Sequence, residues 1–314
     1  MRLAALALCA LLGACAGTVR IEVPLASIEL ADTPFFPQDV NECGPAALAT
    51  ALGASGIAVT PDELVPELYL PGRRGTLQAE MIAGTRRHGR VPYPLAPRLD
   101  ELLATVAGGT PVLVLQNLRL SFWPQWHYAV VIGFDTSDDT VILRSGTERR
   151  KVMSVSAFDR SWRLAQRWAV AVAAPAAPPA NAQAREWLVA ASAFEELAQP
   201  DVAAMAYGAA TQRWPQDARP WQALANARYA QRELAGAEEA LRHAHALQPS
   251  AATLNNLAQV LLERGCPKTA RSALAQAAAL EASEAERQAL ERTRAQVEAH
   301  RGRQAAQCGP ALTP

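Results

Sequence analysis

Cys43 lies at a position in the sequence that is suited to a nucleophile. It precedes Gly44, Pro45 and an apolar run that predicts a helix. The first turn of a helix lowers a thiol pKa, because its unsatisfied N–H groups and the helix dipole favour negative charge. Gln38, five residues upstream, offers an amide that could join the Cys43 backbone N–H in stabilising an oxyanion. The segment therefore predicts a thiolate nucleophile with a pKa below that of a free thiol.

A thiol nucleophile needs a base, and the first half of the chain offers His88 and His127. His88 precedes Gly89 at the end of a predicted helix, where a cationic cap explains it. His127 begins the run HYAVVIGFD, which predicts a strand, so its side chain can be held rigidly at a strand end. We therefore predict His127 as the partner of Cys43.

A glutamine, then Cys-Gly-Pro opening a helix, then a distant His opening a Val/Ile-rich strand resembles the papain-like cysteine peptidases. The closest likeness is to the bacteriocin-processing, double-glycine leader peptidase type, over about residues 30 to 172. This resemblance implies Cys43 as nucleophile, His127 as general base and acid, and Gln38 as oxyanion donor. It also implies cleavage after small residues such as Gly-Gly.

One part of the family pattern is missing. The family places an Asp before a proline at the end of the next strand, where this chain reads Leu143-Arg144-Ser145-Gly146. Ser145 could accept a weaker hydrogen bond from the imidazole. Alternatively Asp135, Asp138 or Asp139 could substitute if the turn that holds them folds back. The third member of the site stays open between these residues.

The elements around these residues predict an α+β domain over 22–172. Thr60-Pro61-Asp62-Glu63 is a helix start with a capping box, and residues 76–88 and 98–107 also read as helices. Short β-branched runs separated by turn residues then predict an antiparallel sheet: PVLVLQN, HYAVVIGFD, TVILRSG, RRKVMSV and RWAVAVA.

A Pro/Ala-rich linker at 173–184 leads to an all-α domain at 185–303. Trp187 and Trp221 are 34 residues apart, and a third copy follows at slightly shorter spacing, which is similar to tetratricopeptide repeats. Ser283 to Glu286 predicts the start of a polar capping helix. Three amides of this domain fall at positions that face the concave side in similar arrays, where amides can bind the backbone of an extended peptide: Asn226, Asn255 and Gln259. Solvated helix polar residues are the alternative.

The first residues, MRLAALALCALLGAC, have the layout of a secretory signal at 1–15. Leu12-Gly13-Ala14-Cys15 resembles a bacterial lipobox, in which Cys15 is lipidated and becomes the new N-terminus. An ordinary cleaved signal is the alternative. The resemblance implies a bacterial envelope protein, anchored by lipid in the outer membrane and facing the periplasm.

The remaining cysteines and charges limit the partners. An exported compartment permits disulfides, and a Cys266–Cys308 pair would leave Cys43 free. Lys and Arg number 30, as do Asp and Glu, so charge does not favour nucleic-acid binding. The sequence has no CxxC or HExxH motif, and His243 and His245 do not share a helix face, so we expect neither a metal nor a cofactor.

These features lead to a membrane-tethered cysteine peptidase whose helical repeats recruit a substrate or partner. The alternative is a non-catalytic lipoprotein adaptor that binds peptide without cutting it, which the missing Asp favours. Acyl transfer or amidase chemistry at the same residues is a third possibility, since the acyl-enzyme step is common to all of them.

Overall fold

The structure is a computed structural model that describes residues 20–21, 25–38, 42–73, 75–300 and 308. It divides into two compact units. The first ends at Ala173 and includes Pro179–Asn181, and the second holds Ala174–Pro178 and continues from Ala182. The predicted signal and Cys15 lie outside the described residues. None of the helices in the described part is both long and apolar enough to cross a membrane.

The first unit contains five α-helices and seven strands in its described residues. The helices are α1 (Cys43–Ala54), α2 (Pro61–Leu68), α3 (Gln78–Arg87), α4 (Leu99–Ala107) and α5 (Val155–Arg163). The strands are β1 (Ile28–Glu29), β2 (Val91–Pro94), β3 (Val112–Asn117), β4 (Trp126–Asp135), β5 (Thr140–Ser145), β6 (Glu148–Ser154) and β7 (Ala169–Ala173). The capping box predicted for Thr60 and Glu63 at the start of α2 is confirmed.

The strands form one antiparallel sheet in the order β2-β7-β3-β4-β5-β6, and β1 pairs with β4. All five predicted strands are present. The sequence did not predict β1, β2 or α5. Helix α5 begins at the end of the run RRKVMSV, where the Ser154 hydroxyl accepts a hydrogen bond from the Ala157 N–H and caps the helix.

Helix α1 lies at the centre of the first unit. The sequence predicts one apolar face, but residues 44–52 are all buried, so the helix is enclosed on every side. Its leucines Leu48 and Leu52 pack with β4 side chains such as Val130 and Ile132 in one core cluster. Each fully buried leucine contributes about 1.5–3 kcal/mol. This enclosure fixes the start of α1, where Cys43 lies.

The second unit consists of helices in its described residues. They are α6 (Ala184–Glu196), α7 (Pro200–Arg213), α8 (Ala218–Ala230), α9 (Leu234–Leu247), α10 (Ala251–Glu263), α11 (Pro267–Ala277) and α12 (Glu284–Ala299). Alternate helices begin at intervals of 34 and then 33 residues, so three helix pairs repeat along the chain. The capping box of Ser283 and Glu286 and the Cys266–Cys308 disulfide are both confirmed.

Candidate active site

Cys43 is the first residue of α1 and opens onto a cavity of about 650 Å³. One wall of this cavity is the segment from Gly75 to Gln78, which leads into α3, and another wall includes Gln125, Trp126 and Tyr128 at the start of β4. Gly44 lets the first wall approach the helix closely, because a Cβ there would lie 2.4 Å from Thr76 Oγ1. The cavity gives a substrate access to the thiol. His127 and Gln38 do not line it.

Two opposing effects act on the pKa of the Cys43 thiol. Burial raises its pKa above the ordinary thiol value, and this is the larger effect. Hydrogen bonding by the backbone N–H groups of Tyr128, Gly44 and Cys43 itself lowers the pKa in part. The structure therefore contradicts the low pKa expected from the helix start alone. It places the sulfur against the backbone of the residue that follows His127.

His127 lies at the start of β4 and its imidazole Nε2 is 2.9 Å from Ser145 Oγ, at the end of β5. Among the residues that the structure describes, no carboxylate forms a hydrogen bond with this ring. Asp135 and Asp139 lie at the opposite end of β4, roughly 26 Å away along the strand. Four residues were predicted as candidates for the third member, and the structure brings only one of them, Ser145, to the histidine; Asp138 lies in the same distant turn as Asp135 and Asp139.

The two aspartates have other partners. The Asp135 carboxylate accepts hydrogen bonds from the hydroxyl groups of Ser27 and Ser137, and the Asp139 carboxylate accepts one from the Ile21 N–H. Both therefore stabilise the β4–β5 turn and the segment before β1. The turn does not fold back toward His127, because β4 and β5 stay paired from the Asp135–Thr140 end to Val130 and Arg144.

The imidazole of His127 is held in its neutral form. Its pKa is lowered to about 4, mainly by burial and to a smaller extent by the positive charge of Lys151. Since burial also raises the pKa of Cys43, the resting pair at neutral pH is a thiol and a neutral imidazole. A neutral thiol and a neutral imidazole are not a preformed thiolate–imidazolium pair.

Gln38 is tied to the same region through its backbone. Its N–H donates to the carbonyl of Gly146, 3.2 Å away and next to Ser145. The sequence missed Arg144, a buried residue that precedes Ser145 in β5. The signal for it was a single charged residue in the β-branched run TVILRS. The structure therefore connects Gln38, Ser145 and His127 through contacts at the end of β5.

The other candidate residues lie apart from this site. His88 caps the C-terminus of α3, as expected, and its Nε2 is 3.5 Å from a carboxylate oxygen of Glu67. Of the three amides of the second unit, Asn226 is exposed, Gln259 is partly buried and Asn255 is buried. Within the described ranges, no group of three or more His, Cys, Asp or Glu residues is placed to hold a metal ion.

The raised pKa of the Cys43 thiol predicts how its alkylation depends on pH. We expect the rate at which chloroacetamide modifies Cys43 to rise with pH through a pKa above the free-thiol value of about 8.5, because burial disfavours the thiolate. The measurement is the second-order rate constant from pH 5 to 10, followed by mass spectrometry of the peptide that contains Cys43. Cys43→Ser gives the background. A fast plateau between pH 5 and 7 that disappears in His127→Ala would instead indicate a thiolate–imidazolium pair.

Residues 29–170 match the family model described as the Peptidase_C39 like family. No curated protein matches the chain. Among solved structures, a Bacillus anthracis protein described as a C39-like peptidase has 18% sequence identity and a TM-score of 0.40, over 46% of this chain and 96% of that one. The family model matches within the first unit, and it indicates a peptidase of the cysteine type.

Proposed function

We propose that the chain is a membrane-anchored cysteine peptidase in which Cys43 and His127 cleave peptide bonds. The observation that carries this proposal is the position of the Cys43 sulfur. It lies at the start of an enclosed helix, on a cavity, and against the N–H of Tyr128, the residue after His127. The match of residues 29–170 to the C39-like peptidase family gives the same reaction class.

In the proposed reaction the sulfur of Cys43 attacks the scissile carbonyl carbon, and the thiol proton passes to His127. The amine then leaves with that proton, and a thioester remains on Cys43. Water, deprotonated by His127, hydrolyses the thioester and restores the thiol. If Nε2–H of the imidazole donates to Ser145 Oγ, then Nδ1 is the unprotonated atom that acts as base. Gln38 would stabilise the oxyanion.

The test uses a fluorogenic peptide that ends in Gly-Gly-aminomethylcoumarin, which the family resemblance suggests as a reporter. We expect hydrolysis by the wild type, a loss of at least about 100-fold in Cys43→Ser and His127→Ala, and a loss of about tenfold in Ser145→Ala. Asp135→Ala is the matched control and should retain activity, because Asp135 lies at the far end of β4. Hydrolysis that survives Cys43→Ser would contradict the proposal.

The second candidate is the non-catalytic adaptor that binds peptide. The observation that favours it is the weak activation of the site, with a raised thiol pKa, an imidazole pKa of about 4 and a serine in place of the carboxylate. A folded wild-type protein that binds the Gly-Gly peptide in the cavity but never releases coumarin would favour the adaptor over the peptidase.

Membrane anchoring is a separate proposal that rests on Leu12-Gly13-Ala14-Cys15. We expect Cys15→Ser to move the protein from the membrane to the soluble fraction of a bacterial host and to abolish labelling by a fatty-acid analogue. Cys9→Ser, in the apolar stretch of the same signal, is the matched control and should keep both properties. A wild-type protein that carries no fatty-acid label would contradict the anchor.

We also propose that the repeated helix pairs recruit a protein substrate or partner, as in tetratricopeptide arrays. Asn226 supports this most directly, because its side chain is exposed on α8. Full-length Cys43→Ser should retain envelope proteins, and Asn226→Ala should weaken this retention about tenfold. Asn256, an exposed amide of α10 outside the predicted set, is the control for substitution by Ala. Equal retention by all three proteins would contradict recruitment through Asn226.

A further inference from the structure

Arg144 is a buried charged residue beside Ser145, with 4% of its surface exposed. Its guanidinium donates four hydrogen bonds, all to backbone carbonyl groups. Nη2 is 2.7 Å from the Ala31 oxygen, Nε and Nη2 are 3.1 and 3.0 Å from the Thr33 oxygen, and Nη1 is 2.5 Å from the Arg149 oxygen. The side chain therefore joins the segment after β1 to strand β6.

The charge of Arg144 is stabilised by carbonyl dipoles, since no carboxylate among the described residues lies within ion-pair distance of it. The carbonyl of Arg149 is accessible because the β5–β6 ladder shifts register: Leu143 pairs with Lys151, whereas Ser145 pairs with Glu148. A bulge of this kind leaves a residue out of the regular pairing. A planar fork of donors fits three converging carbonyl groups, which a lysine cannot reproduce.

The segment from Ala31 to Gln38 is thus held at two points, and these points flank Ser145. Arg144 binds its start through Ala31 and Thr33, and the Gly146 carbonyl accepts the N–H of Gln38 at its end. Pro34 and Pro37 lie between and restrict the backbone. Because Ser145 also contacts His127, the three consecutive residues from Arg144 to Gly146 bind both the segment that ends at Gln38 and the imidazole of His127.

We propose that Arg144 is a positioning residue that holds the Ala31–Gln38 segment so that the Gln38 amide meets the oxyanion. This inference rests on the proposed peptidase chemistry at Cys43. Loss of Arg144 should therefore slow the step that forms a tetrahedral oxyanion. It should leave the nucleophilicity of the sulfur unchanged.

Two reactions of the same thiol separate these effects. With p-nitrophenyl acetate the sulfur attacks the ester carbonyl, a tetrahedral oxyanion forms, and p-nitrophenolate leaves as the thioester appears. With chloroacetamide the sulfur displaces chloride at a saturated carbon, and no oxyanion forms. In both reactions the thiol proton passes to His127 or to solvent. We expect Arg144→Lys to slow acylation of Cys43 at least about tenfold and to change alkylation less than about twofold.

A double-mutant cycle identifies the residue through which Arg144 acts. Gln38→Ala should slow acylation to a similar extent, and Arg144→Lys should then add less than about twofold in the Gln38→Ala background. Arg90→Lys is the matched control, because Arg90 also donates to a backbone carbonyl, that of Ser55 at the far end of α1. Thermal unfolding of each variant reports any general loss of stability, and Arg90→Lys should leave both reactions unchanged.

The outcomes are distinct. Equal losses in acylation and alkylation, or full additivity with Gln38→Ala, would overturn the positioning role while the peptidase proposal stands. The same holds if Gln38→Ala leaves acylation unchanged while His127→Ala abolishes it. If neither reagent modifies Cys43 in folded wild-type protein, the peptidase proposal fails and this inference fails with it.

Discussion

The enclosure of helix α1 is the constraint on which the rest of the site depends. Its residues from Gly44 to Leu52 are buried on every side, so its direction and its first residue are fixed by the packing of the sheet and the flanking segments. A helix that is buried all round cannot rotate without opening voids in a close-packed interior. Cys43 is therefore held in a fixed position at the cavity wall.

The same burial determines the electrostatics of the site. Burial disfavours the charged form of any group, so it raises the thiol pKa of Cys43 and lowers the imidazole pKa of His127. A carboxylate beside the imidazole would oppose the second effect, but the ring contacts the neutral hydroxyl of Ser145 and lies near the cation Lys151. A neutral thiol and a neutral imidazole are the physical result.

The second unit uses a different source of stability. Three helix pairs repeat at intervals of 34 and 33 residues, and small buried side chains such as Ala203, Ala237 and Ala270 allow the helices to pack closely. Repeats of this kind bury apolar surface against their neighbours, so the ends need protection. The Cys266–Cys308 disulfide connects the start of α11 to the C-terminal segment after α12. A covalent link there restricts unfolding of the terminal helices.

The sequence by itself determined the elements whose signals are local. The capping boxes at Thr60 and Ser283 and the five β-branched strands follow from side-chain contacts within a few residues, and the repeat follows from its period. The candidate residues Cys43, His127 and Gln38 were likewise identified from their types and their order along the chain.

Only the tertiary structure decided which distant groups meet. It brought Ser145 to His127 and left Asp135 and Asp139 at the other end of β4, because strand pairing fixes which residues share a sheet end. It also reversed the expected pKa of Cys43, since the helix-start effect is local whereas desolvation depends on the whole surrounding core. Arg144 read as an isolated charge in a strand until the fold placed three carbonyl groups around it.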